Sequence, residues 1–333
     1  MVARCVALLA LVLIAAASSQ ETPRLPLDTL PAQLPALLPH GLEGAPPAAS
    51  EGEISLGRKL FFDPLLSIDR SVSCASCHDP EHGFAGTEAL SLGVGGQRTL
   101  RNSPTLLNRG LGSRHMWDGR VASLAEQALI PIADTREMGL GVEAALQRLN
   151  ASSEYRARFE SVFGAPPDAK NLGGSIAAFV GRLYLADSPV DRFRIDNDFG
   201  ALTSPERSGL WFFESRGQCW RCHSGSNFSD ELFHNTGVGA QGGVAEEGRM
   251  AITHEASDRG RFKTPTLRGL ALTAPYMHDG SKATLEEVVT YYRDGGNKNS
   301  DLAPALAPIE MSDEDVGNLV QFLRALSRQA PAR

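Results

Sequence analysis

The sequence contains the stretch Cys74-Ala75-Ser76-Cys77-His78 and repeats its pattern at Cys219-Trp220-Arg221-Cys222-His223. In a Cys-x-x-Cys-His motif, the two thiols can form thioethers with the vinyl groups of a haem, and the adjacent histidine can bind its iron. The alternative is a zinc site built from the four cysteines, but zinc would not require either histidine. The two motifs therefore predict two covalently attached haem c groups.

The N-terminal segment has the pattern of an export signal. Arg4 precedes an apolar run from Val6 to Ala17 that small residues follow, so residues 1–19 are predicted to be a signal peptide. A retained membrane anchor is the alternative, although the run is short for a bilayer span and no later stretch could cross a membrane. Because haem c is attached outside the cytoplasmic membrane, we expect a periplasmic protein. Cys5 lies in the signal, so the mature chain should have neither a free thiol nor a disulfide.

The composition of the chain limits the number of domains and the kinds of partner but does not indicate a function. The chain has 333 residues, of which 42% are hydrophobic, and is long enough for two modest domains. Residues 20–49 are rich in Pro and Ala and are predicted to be a flexible or extended leader. The net charge of −7 comes with no basic stripe, which argues against a nucleic-acid partner.

A second set of segments repeats along the chain with a constant offset of 161 residues. The pairs are Pro104-Thr105-Leu106 with Pro265-Thr266-Leu267, Met116-Trp117-Asp118-Gly119 with Met277-His278-Asp279-Gly280, and Ser123–Glu126 with Thr284–Glu287. The haem motifs are offset by only 145, so the second half carries sixteen extra residues, which fall in the Gly-rich stretch 237–248, a predicted loop.

Each half also closes with an apolar pattern typical of a helix. The positions are Ile176, Phe179, Val180 and Leu183 in the first half and Val316, Leu319, Val320, Leu323 and Leu326 in the second. Ser312 and Asp315 have the spacing of a helix N-cap and its partner. The sequence thus predicts an all-α protein of two tandem haem domains, residues 50–199 and 200–333, related by internal duplication.

The repeat also predicts a helix beside the second haem. Thr284 and Glu287 form a capping-box pattern, and Gly295-Gly296 would end the helix. Leu285, Val289 and Tyr292 then share one face.

This face predicts a difference between the two haem sites. The residue 161 positions before Tyr292 is Pro131, which has no ligating group. If the face looks onto the haem, the second iron would have His223 and Tyr292, and the first would have His78 and an open position. A tyrosine that only packs is the alternative.

These residues resemble the bacterial di-haem cytochrome c peroxidase family, and within it the MauG-like branch. The resemblance extends from about Glu51 to Ser327. Its markers are Leu56-Gly57-Arg58-Lys59-Leu60-Phe61-Phe62-Asp63, Arg101-Asn102-Ser103-Pro104, Trp117-Asp118-Gly119-Arg120 and Thr273-Ala274-Pro275-Tyr276-Met277-His278-Asp279-Gly280. The family implies two cytochrome-c-like helical domains with one haem in each.

The resemblance implies a tyrosine ligand at the second haem. In ordinary members a methionine ligand lies fourteen residues after the histidine that matches His278, and here that position is Tyr292. MauG-like members have tyrosine there, and an anionic phenolate favours higher oxidation states of iron. The haem-binding set is thus expected to include His278 and Tyr292 near the second haem and Pro131 near the first.

The resemblance also implies that the first haem is open in the resting ferric state. Ordinary members carry a blocking histidine at the place of Val94, within Leu92-Gly93-Val94-Gly95-Gly96, where this chain has none. His82 and His115 are expected to be surface or outer residues rather than ligands.

Three further roles follow from the family. Gln127 and Glu137 match distal-pocket residues, and a carboxylate there can move the proton that peroxide cleavage requires. Trp117 would lie between the haems and carry oxidising equivalents. A calcium ion is implied between the domains, bound by the Asn102 side chain and the carbonyls of Thr273 and Pro275, since oxygen ligands suit calcium.

The sequence therefore predicts a periplasmic di-haem peroxidase that reduces hydrogen peroxide at the first haem. Its electron donor would be a small redox protein, either a cytochrome c or a cupredoxin. The alternatives are a MauG-type oxidase that modifies Trp or Tyr of a partner protein, and a non-catalytic di-haem electron carrier. The Pro131/Tyr292 asymmetry argues against the carrier.

Overall fold

The computed structural model describes Leu34, residues 37–45 and residues 47–329. The predicted signal peptide, with Cys5, lies outside these residues. The described part is mostly helical, as predicted. Its α-helices are α1 Glu51–Phe62, α2 Cys74–Cys77, α3 Leu124–Ala133, α4 Val142–Ala151, α5 Ser153–Phe163, α6 Ala169–Val180, α7 Pro189–Ile195, α8 Ser204–Glu214, α9 Met250–Thr253, α10 Leu285–Arg293 and α11 Asp313–Ala325. Two short antiparallel strands, β1 Phe233–His234 and β2 Phe262–Lys263, pair with each other.

The core of the first half forms where α1 and α3 pack on α6. Helices α1 and α6 cross so closely that a Cβ atom at Gly57 would lie 1.8 Å from the Ser175 carbonyl oxygen. One turn after Gly57, the ring of Phe61 packs on Phe179, with centroids 5.2 Å apart. Phe84 contacts both rings. Glycine at position 57 is therefore what allows the two helices to approach.

The second half has the same arrangement of helices, now between α8 and α11. A Cβ atom at Gly209 would lie 2.0 Å from the Asn318 carbonyl oxygen. One turn later, Phe213 packs on Phe322 with centroids 5.1 Å apart, and Phe228 contacts both. A glycine at the helix crossing and a trio of phenylalanines thus occur in each half.

The predicted helix boundaries are largely confirmed. Thr284 caps α10 in a full capping box with Glu287, and Ser312 caps α11 in a capping box with Asp315. The apolar positions predicted for the closing helices are all buried. The apolar pattern extends beyond both helices, because Leu183 lies after α6, which ends at Val180, and Leu326 is the residue directly after α11.

The described part of the leader contacts the rest of the protein. Arg268 is fully buried, and its Nη2 atom donates to the Gly41 carbonyl at 2.8 Å and to Asp191 at 2.7 Å. The Glu43 amide donates to Ser226 Oγ at 3.1 Å. These contacts hold residues 41–43 against the second half.

The strands lie where the two halves meet. The Lys263 amide in β2 donates to the Trp117 carbonyl at 2.8 Å, which joins the second half to the first. Among the described residues, no helix combines the length and the apolar character that a bilayer span requires.

Candidate haem sites

The first haem motif forms a short helix that presents its histidine in a fixed orientation. Cys74 and Cys77 are the ends of α2, and His78 follows directly. The Nδ1 atom of His78 is 3.2 Å from the Phe84 carbonyl oxygen. When a histidine donates its Nδ1–H to a carbonyl, its Nε2 atom is left to bind a metal.

The second motif repeats this arrangement. Cys219–Arg221 form a 3-10 turn, and Nδ1 of His223 is 3.0 Å from the Phe228 carbonyl oxygen. The carbonyl oxygens of Pro104 and Pro265, which correspond in the repeat, also interact with the first and second histidine respectively.

The chemistry of these donors fits haem c. Burial raises the pKa of the Cys74 thiol to about 12 and that of Cys219 to about 12, so both thiols stay protonated at neutral pH. Burial lowers the pKa of His78 to about 4 and lowers that of His223 as well. A neutral imidazole is the form that binds iron.

The four cysteines do not come together as a zinc site. Among the described residues, the one group of three side chains with metal-ligand spacing is Cys222, Asp230 and His234. His234 Nε2 lies 2.8 Å from Asp230 Oδ2, and its pKa is raised to about 9, first by a hydrogen bond with Cys222 and then by Asp230. Sequence reasoning did not single out this pair. Asp230 and His234 lie beside Cys222, one of the thiols that would be joined to the haem.

Corresponding helices place Pro131 and Tyr292 at the same position. Ser123 and Thr284 are the N-caps of α3 and α10, and Pro131 and Tyr292 are each the eighth residue of their helix. Burial raises the pKa of the Tyr292 phenol, and Tyr291 and Cys222 raise it further. The phenol is therefore near the second motif, and its ligation of iron stays a prediction.

Glu137 lies near the first motif. Burial raises the pKa of the Cys77 thiol, and the Glu137 carboxylate raises it further, as it does that of Cys74. The pKa of Glu137 is itself raised by burial and by Asp134. Gln127 is on α3 one turn before Pro131 and is half-buried.

The loop at the place of the blocking histidine packs onto Glu137. The Val94 amide donates to the Glu137 carbonyl at 2.8 Å, and the Val94 side chain is buried. A Cβ atom at Gly93 would lie 2.0 Å from the Arg136 carbonyl oxygen. The loop therefore approaches Glu137 through its backbone.

The two histidines that were expected to be outer residues lie in different surroundings. His82 is half-buried, and its Nε2 atom contacts the Ala274 carbonyl. His115 is buried, which excludes a surface position and leaves the expected position around the site, without iron ligation. Burial lowers the His115 pKa to about 4, and the neighbouring Arg109 lowers it further.

Trp117 lies where the two halves meet. Its Nε1–H donates to the Asn102 carbonyl at 2.8 Å, and the Asn102 amide donates to the His278 carbonyl at 2.8 Å. The rings of Trp117 and His278 meet edge to face, with centroids 6.2 Å apart. The structure thus brings together three residues that the sequence singled out separately.

Three residues at this contact were missed from sequence. Glu246 Oε1 lies 2.5 Å from His278 Nε2, and Arg101 Nη1 lies 2.5 Å from Glu246 Oε2. Phe262 stacks on His278, with centroids 3.7 Å apart. The available signal was the Gly-rich insertion, which contains Glu246.

Of the three residues expected to bind calcium, Asn102 is engaged at its amide nitrogen. Asn102 Nδ2 donates to the Glu88 and Ala89 carbonyls at 3.2 and 3.3 Å, so Oδ1 would be the atom that faces a cation. Pro275 forms a cis peptide bond with Ala274, and Thr273 directly precedes Ala274. The calcium site stays a prediction.

Comparisons with known proteins all find relatives in one family. The family described as di-haem cytochrome c peroxidase matches residues 51–198. Methylamine utilization protein MauG of Methylorubrum extorquens is 36% identical over 84% of this chain and 79% of its own. Cytochrome c551 peroxidase of Pseudomonas aeruginosa is 35% identical over 87% of this chain and 82% of its own.

A solved structure has the same fold. The crystal structure of a MauG-like protein associated with microbial copper homeostasis superposes with a TM-score of 0.79. It is 30% identical, and the match covers 88% of this chain and 94% of that one.

Proposed function

Since this chain belongs to the di-haem cytochrome c peroxidase family, we propose that it is a periplasmic, MauG-like enzyme. It uses hydrogen peroxide at the first haem and passes oxidising equivalents to the second. The observation that carries this proposal is the difference between corresponding helices, with Pro131 on α3 and Tyr292 on α10. One site has a residue that cannot bind iron, and the other has a phenol that can.

The residues present would hold two haem c groups. The thiols of Cys74 and Cys77 would carry the first and those of Cys219 and Cys222 the second, with His78 and His223 as proximal ligands. Bound haem supplies the iron that accepts and releases electrons during peroxide reduction. Tyr292 and His223 would both bind the second iron. Pro131 offers no ligating group, so the first haem would be the one that takes hydrogen peroxide.

Glu137 is the residue that moves a proton at the first site. Its carboxylate would accept a proton from one oxygen of hydrogen peroxide and return it to the other oxygen, which departs as water. Burial and Asp134 raise its pKa, which brings the carboxylate closer to the pH at which it must both take and give a proton. Gln127, through its amide, orients the peroxide.

Trp117 connects the two sites. Its indole is held from both halves, by the Asn102 carbonyl and by the edge-to-face contact with His278. This placement supports a path for electrons from the second haem site to the first. His278 is part of that path and borders the second site.

The organisation of the chain supports the same proposal. We assign residues 50–199 to the peroxide-reactive domain and residues 200–333 to the electron-transfer domain, and we infer that they arose by duplication. The crossings at Gly57 and Gly209, each with a phenylalanine trio, support that origin. Calcium bound by Asn102, Thr273 and Pro275 would join the domains.

Two outcomes are open to an enzyme of this kind, and one experiment distinguishes them. The haem-loaded protein is mixed with hydrogen peroxide, first with reduced cytochrome c or a cupredoxin and then without a donor. Fast peroxide turnover with the small redox protein would show an enzyme that removes peroxide. Slow turnover with oxidation that persists without donor would show an enzyme that oxidises Trp or Tyr of a partner protein. Tyr292 and the absence of a histidine at Val94 favour the second outcome, and a protein inert to peroxide would contradict the proposal.

A further inference from the structure

The Gly-rich insertion of the second half brings a carboxylate to the contact between the two halves. Glu246 contacts His278 and Arg101, each at 2.5 Å. Arg101 belongs to the first half, so this carboxylate joins the two. A Cβ atom at Gly239 would lie 2.4 Å from Glu246 Oε1. Glycine at position 239 therefore leaves the room that the carboxylate occupies.

His278 transmits this contact to Trp117. The His278 ring is 4% exposed. It lies between Trp117, with which it makes an edge-to-face contact, and Phe262, on which it stacks. The His278 carbonyl accepts the Asn102 amide, and the Asn102 carbonyl accepts the indole N–H. A shift of His278 would therefore move the acceptor to which the indole is bound.

The electrostatics of a redox-active indole explain why a carboxylate is useful here. An indole that gives up one electron becomes a cation unless it also loses its N–H proton. The indole N–H donates to the backbone carbonyl of Asn102. A carbonyl oxygen is a very weak base, so the proton stays on the indole nitrogen. The positive charge must then be stabilised by nearby negative charge.

Glu246 is the carboxylate that contacts His278, the ring that packs against the Trp117 indole. Burial raises the pKa of this carboxyl, but its hydrogen bond with His278 and the charge of Arg101 lower it overall, so it is ionised at neutral pH. Two other charged residues are close to Trp117. Asp118 follows it in the chain and is ion-paired with Arg120. Lys263 donates its backbone amide to the Trp117 carbonyl and is ion-paired with Glu231.

We propose that Glu246 is a positioning residue for electron transfer through Trp117. It fixes the orientation of His278 and supplies the negative charge that favours transient oxidation of the indole. One electron leaves Trp117 for the first haem site, where hydrogen peroxide is the oxidant. One electron from the second haem site then restores the indole, and the N–H proton does not move. The inference rests on the proposed function, because it requires Trp117 to connect two haem sites.

The test uses the full, haem-loaded protein and the variant Glu246→Gln, which removes the charge and keeps a side chain of the same size. After one equivalent of hydrogen peroxide, the rate at which the second haem becomes oxidised is followed by stopped-flow absorbance and freeze-quench EPR. A unit charge near the indole changes the driving force enough that we expect transfer to slow by about tenfold or more. The spectra before peroxide should be unchanged. Glu154→Gln is the matched control, since Glu154 is also ion-paired, with Lys59 and Arg158, but lies on α5.

Two further variants separate charge from structure. Arg101→Gln leaves the Glu246 carboxylate less neutralised, so transfer should be as fast as in the wild type or faster. A purely structural role of the Glu246 contacts would slow transfer in both variants. Glu246→Asp keeps the charge and should restore part of the rate even if Glu246→Gln is poorly folded.

The outcomes are distinct. Wild-type transfer in Glu246→Gln, or equal slowing in Arg101→Gln, would overturn the inference. So would a double variant Trp117→Phe/Glu246→Gln that is slower than Trp117→Phe alone, because Glu246 is proposed to act through Trp117. Failure of the wild type itself to respond to peroxide would instead reject the proposed function.

Discussion

The Trp117 indole and the His278 imidazole meet edge to face, with ring centroids 6.2 Å apart and an interplanar angle of 65°. The two residues occupy corresponding positions of the sequence repeat, each directly before Asp-Gly. The contact between the halves is thus made by residues at matching positions of the two repeated segments. One is an indole, and the other is an imidazole that Glu246 contacts.

Removal of the Trp117 indole should separate the two haem sites. In Trp117→Phe, the first site should still react with peroxide in the presence of a small-molecule donor, while oxidation of the second haem should slow strongly. Stopped-flow absorbance of the second haem measures the effect. Trp211→Phe is the control, because Trp211 on α8 is 59% exposed. Equal slowing in both variants would show that Trp117 has no special role.

Tyr292 should set the spin state and potential of the second haem. Tyr292→Phe removes the phenol, so the low-spin signal of the second haem should be lost. Tyr292→Met should keep six ligands and raise the haem potential, as methionine ligands do. Redox titration and optical spectra give both results.

The neighbouring tyrosine provides the control for this test. The Tyr291 hydroxyl donates to the Thr236 carbonyl at 2.9 Å, and Tyr291→Phe should leave the haem spectrum as it is. A Tyr292→Phe protein with an unaltered spectrum would show that Tyr292 only packs.

Glu137 should govern peroxide cleavage and its pH dependence. Glu137→Gln should lower kcat/KM for hydrogen peroxide by about 10²–10⁴-fold, the usual contribution of a general acid–base group. The carboxylate must be ionised to accept a proton, and its pKa is raised above 4.5 by burial and Asp134. Activity should therefore rise as pH increases through this raised pKa and then level off.

The pH profile of the variant completes that test. Glu137→Gln should lose the acidic limb, because the group that titrates there is gone. Retention of the same limb in the variant would mean that another group moves the proton. The amide that replaces the carboxylate in this variant can still form a hydrogen bond with peroxide, so binding should change less than turnover.

The helix crossings should be intolerant of any side chain. Gly209→Ala would place a Cβ atom 2.0 Å from the Asn318 carbonyl oxygen, so we expect a loss of about 1–3 kcal/mol in the free energy of unfolding. Gly317→Ala on α11 is the control, because a Cβ atom there meets nothing within 4 Å. It should stabilise the helix by about 0.5–1 kcal/mol. Chemical unfolding of both variants measures the difference, and similar values for the two would contradict the crossing geometry.

The sequence predicted the features that depend on local pattern. The capping residues Thr284 and Ser312 identify helix starts through their own spacing to Glu287 and Asp315. The equivalence of Pro131 and Tyr292 follows from a constant offset along the chain.

The features that depend on distant contacts could not be predicted in this way. Glu246 lies in a loop without periodicity, and its partner Arg101 is far away in sequence, so nothing local indicates their contact. The same holds for His115, since a lone histidine gives no sign of the buried Arg109 beside it.

The most direct test of the account is low-temperature EPR of the purified ferric protein before peroxide is added. We predict one high-spin haem, bound by His78 and free to take peroxide, and one low-spin haem with His223 and Tyr292 as ligands. Two low-spin haems would contradict it, because the first iron would then be blocked, as in an enzyme that must first be reduced or in a plain electron carrier.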